Sequence, residues 1–240
     1  TDAGSDNNYT LDVTATSNDG STTQTLTVTV TDTTTAPAIQ NAYSYEELNK
    51  LTDLSGSNND NFGYSTSISG NYAIVGVDGD DDNGTDSGSV YIFKNDGSGS
   101  FIQTSKLTAS DAAAYDMFGI SVSISGDYAI IGGPGSAYIF KNDGSDNFTQ
   151  TSKLTASDAA PFDGFGNSVS ISGDYAIVGS AYDDDNGSSS GSAYIFKNDG
   201  SDNFTQTSKL IASDPAMDDY FGSSVSISGN YAIVGAPQND

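Results

Sequence analysis

The chain repeats itself, and this repetition restricts its fold more than any other feature of the sequence. The pair Phe-Gly occurs four times: Phe62, Phe118, Phe165 and Phe221 begin the copies. The second and third copies are 47 residues apart, and the other neighbouring copies are 56 residues apart. A Lys-Leu pair precedes every copy, and its Leu stands 11 residues before the Phe each time. Spacing this constant predicts one structural unit that is repeated head to tail.

Each repeat contains four short segments that favour β-strands. The first alternates polar and apolar residues, as in 168–172, whereas the second and third are apolar, as in 175–178 and 193–196. Ser-Gly-Asp or Ser-Gly-Asn joins the first two segments and Asn-Asp-Gly-Ser precedes the fourth, and both favour tight hairpins. Four-stranded antiparallel units of about 40–50 residues are typical of β-propeller blades. We therefore predict an all-β fold that contains a partial β-propeller of four-stranded antiparallel blades.

Residues 1–34 depart from this repeat. Two Thr-rich segments, 9–15 and 24–31, alternate with period 2 around an Asn-Asp-Gly turn, which predicts the last strands of a β-sandwich domain. We predict a linker over 35–42 and a propeller fragment over 43–240. Within the fragment we expect three complete blades, one truncated blade and an orphan outer strand, at 62–108, 118–155, 165–211, 221–240 and 43–52.

The composition excludes several classes of protein. The chain has 32 acidic side chains against 7 basic ones, a net charge of -25, and neither His nor Cys. Triads of Ser, His and Asp, Cys-His catalysis, zinc sites and disulfides therefore cannot form. Such an anionic surface repels nucleic-acid phosphates, and no apolar run reaches the roughly 20 residues of a membrane span. We predict no enzymatic activity, no nucleic-acid partner and no insertion of this segment into a membrane.

The repeated motif resembles a known family. Residues 165–179 read Phe-Gly-Asn-Ser-Val-Ser-Ile-Ser-Gly-Asp-Tyr-Ala-Ile-Val-Gly, and one copy ends in Gly-Ala-Pro at 235–237. This resembles the FG-GAP repeat, which builds the β-propeller of integrin α subunits and many bacterial surface proteins. Residues 1–34 resemble the end of a cadherin-like domain. The resemblance implies an extracellular or cell-surface location, associated calcium and an adhesive role. The calcium loop that integrin repeats carry between strands one and two is replaced here by tight turns such as 172–174.

Antiparallel strands place their loops on two opposite faces of a blade. We call the side with loops 2–3 and 4–1 the long-loop face, and the side with loops 1–2 and 3–4 the tight-turn face. The long-loop face holds 18 of the 30 aspartates. Two of its loops are the richest in candidate metal ligands: Asp78, Asp80, Asp81, Asp82, Asn83 and Asp86, and then Asp183, Asp184, Asp185 and Asn186.

Two interpretations of these acidic loops stay open. Asp and Asn are favoured in turns, which explains many of them without a ligand. Close carboxylates repel each other, however, and calcium binds six to eight oxygens of the kind that Asp, Asn and backbone carbonyls supply. The sequence therefore predicts calcium as a cofactor, with one site in each loop.

Four aromatic residues in the long loops are candidates for a ligand surface: Tyr115, Phe162, Tyr182 and Tyr220. We predict a calcium-linked adhesion or ligand-binding module of a large secreted bacterial protein, with a cell-surface protein or a glycan as its partner. The alternatives are a passive structural spacer and a non-catalytic part of a polysaccharide-active enzyme. Self-association through open strand edges is a further prediction.

Overall fold

A computed structural model describes residues 8–13, 26–31, 50–52 and 59–238. The chain forms two compact units, Thr1–Glu47 and Leu48–Asp240. In the first unit, β1 (Asn8–Val13) pairs antiparallel with β2 (Leu26–Thr31). The predicted cadherin-like character of this unit stays a prediction. The predicted linker and residues 43–49 of the predicted orphan strand lie outside the described residues, and residues 50–52 are not in a strand.

The second unit consists of three four-stranded antiparallel sheets and one two-stranded sheet, which we call blades 1 to 4. Within each blade the strands follow chain order: β3 (Thr66–Ser69), β4 (Tyr72–Val77), β5 (Ser89–Asn95) and β6 (Phe101–Leu107); β7 (Ser121–Ser125), β8 (Tyr128–Gly133), β9 (Ser136–Asn142) and β10 (Phe148–Leu154); β11 (Phe165–Ser172), β12 (Tyr175–Ser180), β13 (Ser192–Asn198) and β14 (Phe204–Leu210); β15 (Ser224–Ser228) and β16 (Tyr231–Gly235). The part of the chain that the structure describes contains no helix, and so none that could cross a membrane. The predicted all-β fold of propeller blades is confirmed.

The blades fan out from their first strands. β3, β7, β11 and β15 contact one another in succession, whereas the fourth strands of neighbouring blades scarcely meet. A first strand has no β partner towards the preceding blade, so its backbone N–H groups need other acceptors. Serine hydroxyls provide them: Ser123 Oγ accepts from Ile171 N at 3.2 Å, and Ser170 Oγ accepts from Ile227 N at 3.1 Å. The polar positions of the Ser-x-Ser-x-Ser motif therefore join one blade to the next.

Apolar side chains fill the space between neighbouring blades. Ile139 of blade 2 packs in one buried cluster with Ile171 and Phe196 of blade 3. Phe165, from the Phe-Gly motif, lies in the same cluster, and its ring meets that of Tyr194 edge-on at 5.5 Å between centroids. The repeated Phe is thus an anchor at the blade interface, as its position in the motif suggests.

Glycine is required where two blades approach most closely. A Cβ atom on Gly132 would lie 1.9 Å from the carbonyl oxygen of Gly166, and one on Gly179 would lie 2.0 Å from that of Gly222. Real Cβ atoms do not come so close to a backbone oxygen, so any side chain here separates the blades. In blades 1 to 3, the next-to-last residue of the second strand is a Gly that contacts the Gly of the next Phe-Gly pair.

Candidate functional site

The long-loop face and the tight-turn face differ most in blades 1 and 3. Loops 1–2 are two-residue turns, such as 126–127 between β7 and β8. On the long-loop face, loop 2–3 spans 78–88 in blade 1 and 181–191 in blade 3. Blade 2 has only Pro134 and Gly135 at this position, which accounts for its shorter repeat. Repeat symmetry is therefore broken on the long-loop face at blade 2.

The two acidic loops close on themselves in the same way. In blade 3, Asp183 Oδ1 accepts a hydrogen bond from Asp185 N at 3.0 Å, and Asp184 Oδ1 accepts one from Ser189 N at 2.7 Å. The blade 1 loop repeats both bonds, between Asp80 and Asp82 N and between Asp81 and Asp86 N. One oxygen of each of these four aspartates thus has a turn-forming role, as the first interpretation of the acidic loops proposes.

A lysine from the fourth strand occupies the centre of the blade 3 cluster. Lys209 Nζ lies 2.8 Å from Asp158 Oδ2, 3.0 Å from Asp183 Oδ2 and 2.6 Å from Asp185 Oδ2. Oxygens of these three carboxylates lie within 4.8 Å of one another, close enough to hold a metal ion. Asp183 is almost fully buried, and its Oδ2 also accepts a hydrogen bond from the hydroxyl of Tyr194 at 2.7 Å.

The same arrangement recurs with fewer carboxylates in the other two blades. Lys106 Nζ lies 2.6 Å from Asp80 and 2.7 Å from Asp82, and Lys153 Nζ lies 2.6 Å from Asp111. All three ammonium groups also lie over a tyrosine ring, at 5.3–5.4 Å from its centroid. Sequence reasoning missed these lysines because none of them lies in a long loop. The Lys-Leu pair at the end of each fourth strand was the available signal, since that strand ends at the long-loop face.

Asp158 and Asp163, two carboxylates of the long-loop face, have pKa values that are shifted in opposite directions. Burial alone would raise the pKa of Asp158, but hydrogen bonds from Lys209 and Tyr194 outweigh burial and lower it. Asp163 behaves in the opposite way. Burial, followed by the negative charges of the 183–185 run, raises its pKa despite a hydrogen bond from Ala160 N at 2.8 Å. In the described part of the chain no lysine forms an ion pair with Asp163.

The remaining candidate ligands are spread along the loops. Asp78 is buried and accepts a hydrogen bond from Asn61 Nδ2 at 3.2 Å. Asn83 and Asn186 are exposed at the tips of their loops. Oxygen donors suit calcium, but the carboxylates that lie closest together already hold an ammonium group. Calcium at these carboxylates has to compete with Lys106 or Lys209, and the calcium sites stay a prediction.

Three of the four candidate aromatic residues lie near one another. The rings of Tyr182 and Tyr220 meet edge-on at 5.7 Å between centroids, and Tyr182 and Phe162 line one cavity. Phe162 is 95% exposed and has a φ of 74°, so its loop holds the ring out towards solvent. Tyr115 occupies the corresponding position one blade earlier, where loop 78–88 packs beside it through the hydrogen bond from Tyr115 N to Thr85 O at 2.7 Å.

One model of a known family matches most of the chain. The model described as the FG-GAP repeat matches residues 45–93, 101–146, 148–196 and 204–240. The chain belongs to the FG-GAP repeat family. The second, third and fourth FG-GAP matches begin on the first residues of β6, β10 and β14, so each of these three repeats starts with the outer strand of one blade. No curated protein matches the chain.

Proposed function

We propose that this FG-GAP chain is a ligand-binding or adhesion module of a secreted bacterial surface protein, and that it binds through its long-loop face. The observation that carries the proposal is the asymmetry of the two faces. The long-loop face has the long loops, three exposed aromatic residues and a cavity, while loops 1–2 on the other face are two-residue turns. Exposed aromatic side chains beside a concave surface are typical of binding sites.

The binding partner is proposed to be a cell-surface protein or a glycan. A net charge of -25 disfavours anionic partners, and the same charge concentrates cations at the surface. Calcium is proposed as a weak ligand of the two acidic loops, because it must displace Lys106 or Lys209 from carboxylates at 2.6–3.0 Å. The proposal concerns binding and includes no catalytic step.

Oriented attachment tests which face binds. The chain has no cysteine, so a single Cys provides one attachment point. Beads coupled through Ser145→Cys, on the tight-turn face, display the long-loop face, and beads coupled through Asn186→Cys hide it. Both positions are exposed, which makes the two variants a matched pair. We expect beads coupled at 145 to be retained on cell layers and beads coupled at 186 to be released.

Equal retention of both bead types would contradict binding through the long-loop face. Absence of retention for both would favour the passive spacer. A chelator arm tests calcium separately: retention that is lost in chelator and restored by calcium supports calcium as a cofactor, and chelator-insensitive retention removes it from the proposal.

A further inference from the structure

The cavity of the long-loop face exists because blade 2 lacks its 2–3 loop. In blade 1, loop 78–88 covers the following 4–1 loop through hydrogen bonds to the backbone of Tyr115, Met117 and Phe118. In blade 3, loop 181–191 covers the next 4–1 loop in the same way. Between blades 2 and 3, the 4–1 loop instead lies beside the two-residue turn of blade 2. Gly135 N in that turn donates a hydrogen bond to Phe165 O, at the end of the loop, at 2.7 Å. Residues 159–164 are left uncovered beside a cavity of about 680 Å³.

A second departure from the repeat shapes the wall of this cavity. Gly164 stands where the other loops have Asn61, Met117 and Tyr220, and all four residues have a positive φ. A Cβ on Gly164 would lie 2.7 Å from Cδ2 of the Tyr182 ring. The glycine therefore lets Tyr182 form one wall of the cavity, and Tyr220 supports that ring from behind by an edge-on contact.

The lining of the cavity restricts what can bind there. Phe162 and Tyr182 provide two aromatic surfaces, and Pro134 and Pro161 add apolar area. The polar groups include two acceptors: the carboxylate of Asp163 and Asn167 Oδ1, which is buried and has no hydrogen-bond partner. A buried acceptor without a partner is unfavourable, so a ligand that supplies a donor gains from meeting it. The negative charges of Asp163 and the 183–185 run exclude an anionic ligand.

We propose that this cavity binds a neutral hexopyranose unit of a glycan, with an apolar face of the sugar against Phe162 and its hydroxyls donating to Asp163 and Asn167. The inference rests on the proposed function, because it names the ligand of the same face. A sugar ring has an apolar CH surface on its face and several hydroxyl donors around its edge, and it carries no charge. A lysine side chain offers donors at one end only, which suits two separate acceptors less well. The volume lies within the range of small-molecule sites, about 300–1,000 Å³.

Binding of the full 240-residue chain to soluble dextran, mannan and galactan tests the inference, with polylysine and dextran sulfate as charged comparators. We expect at least one neutral polysaccharide to bind and dextran sulfate not to bind. Phe162→Ala should weaken that binding by at least about tenfold, as for an aromatic residue at the centre of an interface. Asn167→Ala should weaken it about threefold to tenfold through the lost hydrogen bond.

Tyr231→Ala is the matched control, because it removes an exposed aromatic side chain beside the two-residue turn of blade 4, on the tight-turn face and away from the cavity. It should leave the affinity unchanged. Thermal melts confirm that the variants fold, and Phe162 is too exposed for its loss to unfold the chain. The inference is overturned if no neutral polysaccharide binds, if only polylysine binds, or if Phe162→Ala and Tyr231→Ala behave alike. Retention of Phe162→Ala beads on cells at the wild-type level would overturn the cavity proposal and leave the proposed function standing.

Discussion

Replacing Lys209 by Met removes the ammonium group from the three carboxylates of blade 3 and keeps the apolar stem. Asp183, whose side chain is only 4% exposed, then loses its cationic partner. Breaking a buried ion pair from one side costs about 3–5 kcal/mol. Two carboxylate oxygens at 4.8 Å also repel by about 0.9 kcal/mol in water and by about 3.5 kcal/mol at an effective dielectric constant of 20. Because Asp158 and Asp185 are more exposed, we take about 3 kcal/mol as the expected loss of stability.

The measurement is the melting temperature of the full chain with and without calcium. For a folded unit of this size, about 3 kcal/mol corresponds to a decrease of about 6–12 °C. Three carboxylates without an ammonium form a weak calcium site, with a dissociation constant of about 1 mM. At 10 mM calcium such a site contributes about 1.4 kcal/mol, so Lys209→Met should regain about 3–6 °C. Calcium should raise the melting temperature of the wild type by less than about a third of that amount, because calcium has to displace the lysine.

Lys153→Met is the matched control, because Lys153 has the same place in blade 2 but pairs with Asp111 alone. That carboxylate is 48% exposed, and an exposed pair contributes about 1 kcal/mol or less. The control should therefore melt within about 4 °C of the wild type and show no calcium effect beyond that of matched sodium chloride. Equal calcium stabilisation of wild type and Lys209→Met, or equal destabilisation by the two substitutions, would refute the role that we assign to Lys209.

Three further predictions follow from contacts between blades. Gly179→Ala should destabilise the protein by about 1–3 kcal/mol in denaturant unfolding, because its Cβ meets a backbone oxygen, whereas Gly235→Ala meets only a serine hydroxyl and should be nearly neutral. Ser170→Ala should cost about 1 kcal/mol and speed amide hydrogen exchange at Ile227, while unchanged exchange there would rule out the hydroxyl as its acceptor. The lowered pKa of Asp158 means that its contribution to stability is present above its unfolded pKa, about 3.9, and is lost as the pH falls through the lower folded value. Acid melts should therefore show a steeper decrease below about pH 4 for the wild type than for Lys209→Met.

The strands and the blade order could be predicted from local sequence. The alternation in 168–172 and the apolar run in 175–178 have the period of strands β11 and β12, and Ser-Gly-Asp fixes the turn between them. The regular recurrence of Phe-Gly marks the repeat, and in the structure Phe165 of this pair is buried between blades 2 and 3. These features depend on neighbours within a few residues of one another, which sequence patterns record.

The candidate site was harder to predict, because its contacts join distant residues. Lys209 and Asp158 are 51 positions apart, and no local pattern shows that the ammonium group neutralises the acidic loop. The repeat spacing of 47 residues instead of 56 corresponds to the short 2–3 loop of blade 2, but the spacing alone does not indicate a cavity. Seeing the cavity requires knowing that loops 78–88 and 181–191 cover their neighbours, and that Gly164 admits the ring of Tyr182.

The repeat boundary has a consequence for how such chains grow. Three of the four FG-GAP matches open with the outer strand of one blade, at residues 101, 148 and 204, and the match at 148–196 ends on the third strand of the next blade. Duplication of one repeat in the gene therefore adds a complete blade interface. The added repeat contains the serine acceptors, the glycines and the buried Phe of that interface, together with a strand that completes the preceding sheet. Added copies lengthen the array without leaving any internal blade unfinished.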